Sequence, residues 1–394
     1  MADETYLNPP TIAAATPRFD GVDLLRGLSI IAVILLHGQI RLYYTYSISI
    51  QTLLPKRIFH VLFSQGGNGV TVFFAISGFL ITLTSLRRFG SLAKMRAKIF
   101  YRIRFARIAP LFLLLLAVLS VLDLIHAEGF VINPARETLP RALFAALTFQ
   151  VNWYEAIHGY LPANWDVMWS LSIEEMFYLF FPLACVLIVR RRLGMPVFVA
   201  MLLAMVAMGP FARTVWSTNW IWQGTSYVGG MSGIALGCLT ALLMDWLQRK
   251  NPKWMGGKRL LAIQIAGAAV MLLIVIWPPW HLMHFLGRSG TDDTALGLGT
   301  CLVMLGSVLR GRVGRAWTAP IRWFGRHSYE IYLTHEFMVV WVTQLYVRVH
   351  RGSPFIWIAA EVALAAGLGA VVARWFSEPL NRQLRGAAPP SKRS

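Results

Sequence analysis

Ten stretches of mostly apolar residues recur along this chain of 394 residues, and they constrain its fold more than any other feature. A helix of ~20 residues crosses the ~30 Å hydrocarbon core of a bilayer, and each stretch has about that length. We therefore predict an all-α integral membrane protein with about ten transmembrane helices. The predicted spans are 24–43, 69–86, 108–125, 168–189, 196–213, 229–246, 260–276, 294–309, 328–349 and 354–376.

The segments between and outside these spans complete the predicted organisation. The stretch 139–150 is apolar but too short to span, so we expect a re-entrant or interfacial helix before the fourth span. No small-residue cleavage pattern follows the first apolar run, which favours a retained helix over a signal peptide. We predict a disordered cytoplasmic tail over 1–19, one membrane domain over 20–380 and a basic cytoplasmic tail over 381–394.

The distribution of positive charge predicts how the spans are oriented. The net charge is +19, and 26 of the 37 lysine and arginine residues fall on one side of a ten-span arrangement, against 8 on the other. The richer side is expected to be cytoplasmic, which places both termini in the cytoplasm of a multi-pass protein of the plasma (inner) membrane. The excess charge then faces anionic lipid, so we expect a membrane lipid partner and no nucleic acid.

Composition also excludes several classes of protein. With 56% hydrophobic and only 14% charged residues, the chain is not an ordinary soluble enzyme. The three cysteines, Cys185, Cys238 and Cys301, lie in apolar runs without the spacing of metal ligands or neighbouring histidines. We therefore predict neither a disulfide framework nor a metal site.

Ionisable residues inside apolar spans are costly and mark function by default. In the first span, Arg26 and His37 are eleven residues apart, so they project from one helical face about 16 Å apart along the axis. Arg26 would lie at the cytoplasmic mouth, where Asp23 could pair with it, and His37 in the outer half. Snorkelling of Arg26 to lipid phosphate and a purely structural hydrogen bond of His37 are the alternatives.

The fourth span carries two adjacent acids, Glu174 and Glu175. Residue counting places Glu174 at the same depth as His37, so a histidine–carboxylate pair is geometrically possible. Only one of the two acids can face His37, because adjacent helical residues differ by ~100° in direction. Glu361 in the tenth span is a further buried acid for which the sequence offers no partner.

Basic residues near the cytoplasmic ends of two other spans could complete a site. Arg104 and Arg107 are three residues apart on one helical face and suit a polyanionic phosphate ligand, although a cluster that only sets topology is the commoner meaning. His335 is expected in the inner half of the ninth span, nearer Arg26 than His37. There it would line the cytosolic part of a shared pocket or serve as a hydrogen-bonded structural residue.

Taken together, these segments resemble the acyltransferase-3 family of membrane acyltransferases over nearly the whole region 20–380. Two departures, Leu24 within the first motif and Met176 in place of a common glutamine, touch no proposed catalytic group. The segments that carry the resemblance are Arg26 with His37, Phe74-Ala75-Ile76-Ser77-Gly78-Phe79-Leu80-Ile81, Arg104-Phe105-Ala106-Arg107, Trp169-Ser170-Leu171-Ser172-Ile173-Glu174-Glu175-Met176-Phe177-Tyr178, Ser328-Tyr329 to His335, and Ser377-Glu378-Pro379.

The resemblance implies transfer of an acyl group, most often acetyl, from cytosolic acyl-CoA to a hydroxyl of a glycan outside the membrane. Acetyl-CoA would be a co-substrate, no metal would be needed, and the glycan would be the acceptor. His37 would act as base or form an acyl-histidine, assisted by Glu174 or Glu175. The residues assigned to the donor are Arg26, Arg104, Arg107 and His335.

Two other functions stay open from the sequence. Histidine and glutamate inside spans also build proton relays, so a proton-coupled transporter or a flippase of a lipid-linked sugar is possible. Transporters commonly contain two related halves, and no internal symmetry is visible in this chain. An acyltransferase acting on a small molecule, or one that uses succinyl-CoA, is the other alternative.

Overall fold

The computed structural model describes residues 19–216, 218–252, 255–276, 285–287, 289–311 and 313–386. Within these ranges all regular structure is helical and no strand occurs, as predicted. Of the predicted tails, 1–18 and 387–394 lie outside the described residues, whereas 381–385 are helical.

Sixteen α-helices of six or more residues run through the described part of the chain. Helices α1, α7 and α15 each continue into a π-helical turn, over Arg41–Thr45, Cys185–Val189 and Ala373–Ser377. The helices are α1 Asp20–Ile40, α2 Lys56–Phe63, α3 Gly66–Phe89, α4 Ala97–Leu124, α5 Leu139–Leu147, α6 Val151–His158, α7 Met168–Ala184, α8 Gly194–Thr214, α9 Trp220–Thr225, α10 Tyr227–Lys250, α11 Gly257–Ile276, α12 Asp292–Arg310, α13 Ala319–Arg326, α14 Ser328–Val349, α15 Pro354–Val372 and α16 Glu378–Arg385.

Nine helical segments of the described chain are long and apolar enough to cross a membrane, one fewer than the ten spans predicted. The difference is α14, which forms a helix of 22 residues but carries Glu330, His335, Glu336 and Arg348. These side chains lower its mean hydropathy below that of the other nine. Twelve of its residues are buried, including both acids and His335, so the polar groups of α14 point into the bundle.

Short helices occupy the two longest segments between predicted spans. The stretch predicted as a short helix over 139–150 is α5, which ends at Leu147, and α6 follows it directly. Helix α2 lies between α1 and α3, and α3 begins at Gly66, three residues before the predicted start.

Close packing at glycines holds the central helices together. A β-carbon at Gly27 of α1 would overlap the carbonyl oxygen of Ile321 in α13, and one at Gly78 of α3 would overlap that of Ile234 in α10. Small residues at such crossings let helix backbones approach closely in lipid, where burial of apolar surface gives little driving force. Thus Ser77-Gly78 is a packing position, and it also brings Ser77 to the site described next.

Several polar contacts join helices that are distant in sequence. Asp20 at the start of α1 pairs with Arg322 of α13. On α8, Arg213 pairs with Asp293 of α12 at 2.8 Å. Helix α16 (Glu378–Arg385) crosses residue 380, the predicted end of the membrane domain. The three cysteines are buried and free.

Candidate active site

A cavity of about 430 Å³ lies between α1, α3, α4, α7, α14 and α16. We call it the arginine cavity, because six guanidinium groups line it against three carboxylates. Its excess of positive charge suits a ligand that carries several negative charges. The six are Arg26, Arg88, Arg104, Arg107, Arg326 and Arg385, and the three acids are Asp23, Glu174 and Glu378.

The three arginines singled out from the sequence are brought together here. Arg26 donates from Nε to Ser328 Oγ at 3.1 Å, which joins α1 to the start of α14. Arg107 forms an ion pair with Glu330 at 3.3 Å, between Nη1 and Oε1. The guanidinium of Arg104 lies 4.4 Å from the ring centroid of Tyr178, a cation–π distance. Among the described residues Arg104 has no carboxylate partner within ion-pair distance.

Glu174 belongs to this cavity and not to His37. Its Oε2 accepts hydrogen bonds from Tyr178 Oη at 2.7 Å and from Ser77 Oγ at 3.2 Å, and Arg104 acts on it electrostatically. Tyr178 and Ser77 also contact each other. The predicted pairing of Glu174 with His37 is therefore wrong, because α7 turns this face toward α3 and α4.

Glu175 is not brought to His37 either. Its side chain lies outside the lining of the arginine cavity, and its Oε1 is buried with no hydrogen-bond partner among the described residues. Arg104 is the cation that acts on it most strongly. Neither acid of α7 thus contacts His37 within the described residues.

His37 instead lies in a second group, the histidine cluster, formed by His37, Arg41, His335 and Glu336. His335 Nε2 is 3.2 Å from His37 Nδ1, and Glu336 Oε1 is 3.8 Å from that same Nδ1. The other oxygen of Glu336 accepts from Arg41 Nη2 at 3.1 Å. His335 is fully buried, whereas 19% of the His37 side chain is exposed.

Hydrogen bonds within the cluster fix which nitrogen of His37 holds its proton. His335 Nδ1 lies 2.7 Å from the carbonyl oxygen of Tyr332, which can only accept, so the Nε2 of a neutral His335 carries a lone pair. His37 Nδ1 faces that lone pair and the carbonyl oxygen of Val33 at 2.9 Å, and hence carries the proton. His37 Nε2 then holds the free lone pair, and among the described residues no hydrogen bond occupies it. A carboxylate near Nδ1 stabilises an imidazolium when Nε2 takes up a proton.

The expected position of His335 is thus wrong. It was placed nearer Arg26 than His37, yet its ring contacts His37, because α14 leans across α1 and buries this face. Glu336 and Arg41 were missed by sequence reasoning. Glu336 had a usable signal, since it is an acid inside a predicted span and directly follows His335.

The histidine cluster also has the composition of a cation site. Nitrogen and oxygen atoms of His37, His335 and Glu336 lie within 4.8 Å of one another. However, Arg41 already neutralises Glu336, and the carbonyl oxygens of Val33 and Tyr332 hold both Nδ1 protons. This arrangement is organised for moving a proton.

Tyr332 connects the cavity with the cluster. It lines the arginine cavity, its hydroxyl contacts Ser170 Oγ at 2.7 Å, and its ring centroid lies 5.9 Å from that of His335. Tyr332 therefore lies between the arginine cavity and His335, and the two histidines themselves are not part of the lining of the cavity.

Two more buried acids surround the cluster. Glu361, for which the sequence offered no partner, accepts from Thr343 Oγ1 at 2.7 Å and packs against Gly38, next to His37. On α6, burial raises the pKa of Glu155 well above its ordinary value, and its carboxyl faces that of Asp166. Asp166 in turn lies within electrostatic range of His37. Buried carboxyl groups in contact share a proton, so this side of the cluster can hold one.

Comparison with known proteins assigns the chain to a family. A family model described as an acyltransferase domain matches residues 19–375. The chain therefore belongs to the acyltransferase-3 family, as the motifs indicated, and it is a multi-pass membrane protein. No solved structure matches the chain.

Curated relatives of the chain are acetyltransferases by name. It is 25% identical to the peptidoglycan O-acetyltransferase OatA of Listeria monocytogenes over 92% of this chain and 55% of the relative. It is 23% identical to the O-acetyltransferase OatA of Staphylococcus aureus over 93% of this chain and 58% of the relative. A putative peptidoglycan O-acetyltransferase, YrhL of Bacillus subtilis, is 25% identical over 80% of this chain and 50% of the relative. The chain thus spans about half the length of these relatives.

Proposed function

We propose that this chain transfers an acetyl group from a cytosolic acyl-CoA, across the membrane, to a hydroxyl of a carbohydrate acceptor. The observation that carries the proposal is the position of Tyr332, which lines the arginine cavity and whose ring centroid lies 5.9 Å from that of His335 in the histidine cluster. One end of the site suits a polyanionic donor, and the other offers a base with a free lone pair.

The arginine cavity would bind the phosphate-bearing end of the donor. Guanidinium groups bind phosphate through paired N–H donors, and Arg104 has no competing carboxylate within ion-pair distance among the described residues. Arg26 and Arg107 would add two further donors beside it. The extended pantetheine arm could then carry the thioester past Tyr332 toward His37.

The reaction at His37 is an acyl transfer from sulfur to oxygen. His37 Nε2 takes the proton of the acceptor hydroxyl while its oxygen bonds to the thioester carbon. When the C–S bond breaks, the imidazolium returns that proton to the departing thiolate, which leaves as the free thiol of CoA. Glu336 would stabilise the imidazolium, and His335 would hold the ring in the required tautomer.

A covalent route uses the same atoms. His37 Nε2 attacks the thioester carbon, the C–S bond breaks, and the thiolate takes up the Nδ1 proton of the acylated ring. The acceptor hydroxyl then displaces the histidine, and its proton returns to the ring. Rapid quenching with acetyl-CoA labelled in its acyl group, in the absence of acceptor, distinguishes the routes, because only this one leaves label on the protein.

The orientation in the membrane follows from the charge distribution. We propose ten spans, of which α14 is the one packed largely against other helices instead of lipid. Both termini would lie in the cytoplasm, and the protein would reside in the plasma (inner) membrane. The arginine cavity would then open to the cytosol, where acyl-CoA is found. The opposite end would hold 44–68 and 126–167, the segments expected to form the acceptor platform.

A glycan acceptor is supported by the relatives and by exposed aromatic side chains at that end. The names of two relatives specify peptidoglycan. Tyr44, Trp153 and Tyr160 are 76%, 59% and 49% exposed, and aromatic rings can stack on sugar faces. We propose a cell-surface polysaccharide as the acceptor class. A small-molecule acceptor, or succinyl-CoA as donor, would use the same site.

A proton-coupled transporter or a flippase is the competing function, because Glu361 and the histidine cluster are buried titratable groups. A transporter of a neutral solute would have no use for the charge of the arginine cavity, whereas a flippase would bind a lipid phosphate there, so the binding of CoA distinguishes the functions. Thermal stabilisation of the purified protein by CoA favours the enzyme, since a ligand that binds only the folded state raises its stability.

The decisive test is His37→Ala, assayed by the O-acetyl content of the cell-surface glycan in a deletion strain carrying each variant. We expect loss of acetylation with normal membrane insertion. His350→Asn is the matched control, because His350 is exposed and adopts a left-handed backbone conformation (φ 50°) that asparagine tolerates. Full acetylation by His37→Ala would refute the proposed role of His37.

A further inference from the structure

Arg385, on the last described helix, is one of the cations that line the arginine cavity. It lies within electrostatic range of Arg88, Arg104 and Arg107, and all three repel it. Within the described residues Arg385 forms no ion pair. Side chains that repel one another are normally spread apart in water, so their convergence on one cavity requires an anion to compensate them.

Unpaired polar atoms mark the same place. Nε of Arg385 and Oδ1 of Asn381 are buried, and neither has a hydrogen-bond partner among the described residues. Both residues line the cavity, and they are four positions apart on one face of α16. A buried donor and acceptor left unpaired cost free energy, which a bound ligand would recover.

The position of α16 indicates which part of a donor it would meet. Arg102 of α4 donates from Nη2 to the Arg385 carbonyl at 2.8 Å, so the end of α16 is tied to the first turns of α4. Ile108, six residues or about 9 Å further along α4, accepts a hydrogen bond from Tyr329 of α14, one turn before Tyr332. The thioester would react beyond Tyr332, at His37. In CoA the adenosine and its 3′-phosphate form the end opposite the thioester.

We propose that α16 is a recognition element for the nucleotide end of the donor, with Arg385 binding the 3′-phosphate and Asn381 the adjoining ribose or adenine. This inference rests on the proposed function and deepens it, because it names the feature by which CoA would be selected. Arg104 and Arg107, deeper in the cavity, remain for the pyrophosphate. Arg88, which also lines the cavity and acts electrostatically on Arg385, would share the 3′-phosphate with it.

The test compares CoA with 3′-dephospho-CoA, which lacks only that phosphate. Binding to the purified full chain would be measured by calorimetry in neutral phosphatidylcholine nanodiscs. We expect the wild-type protein to bind CoA about tenfold more tightly than 3′-dephospho-CoA. This ratio is the effect expected of one additional charged hydrogen-bonded contact. Arg385→Gln should bring the two affinities within about twofold of each other by weakening CoA alone.

Arg374→Gln is the matched control. Arg374 lies in the π-helical turn directly before α16, is exposed, forms no ion pair within the described residues and does not line the cavity. It should keep the wild-type preference for CoA. Equal thermal stability of both variants without ligand shows that each is folded.

The outcomes separate this inference from the function on which it rests. If wild-type protein binds neither compound, the proposed donor is wrong. If it binds both equally, or if Arg385→Gln keeps the full preference, the donor stands and the role of α16 is refuted.

A lipid headgroup or free phosphate could occupy the same arginines. The measurement is therefore repeated with phosphatidylglycerol in the nanodiscs and with millimolar inorganic phosphate. If either abolishes the CoA preference of the wild-type protein, Arg385 is a general phosphate site and the proposal is refuted. A preference that survives both supports recognition of the nucleotide.

Discussion

His335 Nε2 lies 3.2 Å from His37 Nδ1, although 298 positions separate the two residues in the chain. The contact holds the Nδ1 proton of His37 and leaves Nε2 available, and Glu336 supplies the opposing charge at 3.8 Å. Neither acid of α7 takes part. The proposed base and the residues in contact with it therefore come from α1 and α14.

Glu336→Gln tests the role of that charge. The amide keeps the shape of the side chain but removes the carboxylate that stabilises the imidazolium, so we expect kcat to fall about 10²-fold. KM for acetyl-CoA should change little, because the donor would be held by the arginine cavity. Steady-state release of CoA in proteoliposomes measures both quantities.

The control for Glu336→Gln is Glu128→Gln. Glu128 also pairs with an arginine, Arg348, but both side chains are more than 60% exposed. Unchanged kinetics are expected for it. Wild-type kcat in Glu336→Gln would show that His37 works without this carboxylate.

Substitutions at Tyr178 distinguish the contribution of its ring to CoA binding from that of its hydroxyl group. Its ring lies under the Arg104 guanidinium at 4.4 Å, and its hydroxyl donates to Glu174. Tyr178→Phe keeps the ring, whereas Tyr178→Leu removes it together with a cation–π contact of about 1–2 kcal/mol. We expect Tyr178→Leu to weaken CoA binding about tenfold and Tyr178→Phe to keep most of the affinity. Equal affinities of the two variants would mean that the ring does not position Arg104.

Gly78→Ala should destabilise the bundle, because the added methyl group overlaps the Ile234 carbonyl and forces α3 away from α10. We expect the free energy of unfolding to fall by about 1–3 kcal/mol, measured by thermal unfolding in detergent. Gly67→Ala lies on the same helix with no heavy atom within 4 Å, so it should be neutral or slightly stabilising. Equal melting temperatures for both variants would contradict this account of the helix crossing.

Stability should depend on pH through Glu137, which precedes α5. Burial raises the pKa of its carboxyl to about 6 from an ordinary value of 4.5. The folded state therefore binds the proton more tightly than the unfolded state, and stability falls as pH rises from 4.5 through about 6. Glu137→Gln should remove this part of the pH dependence and melt higher than wild type above pH 6. A wild-type pH profile in the variant would show that Glu137 does not titrate in this window.

Much of the fold could be predicted from the sequence because bilayer thickness fixes the length of an apolar helix. Helix α14 was predicted with its observed bounds, 328–349, although its buried acids lower its hydropathy below that of the nine candidate spans. The sequence correctly grouped three arginines, Arg26, Arg104 and Arg107. Counting residues along each span places all three at the same end of the bundle. His335 was misplaced because depth along a helix does not reveal how the helix tilts or which neighbour it crosses.

Depth and helical face are properties of one helix, so the sequence by itself determined the helical membrane class, the family and the group of arginines. Which carboxylate meets His37 depends on how α1, α7 and α14 rotate and cross, and that is set by packing at positions such as Gly27 and Gly78. Only the tertiary structure could therefore replace Glu174 with Glu336 beside His37. The same packing brought Asn381 and Arg385, from the last described helix, to the cavity formed by the first spans.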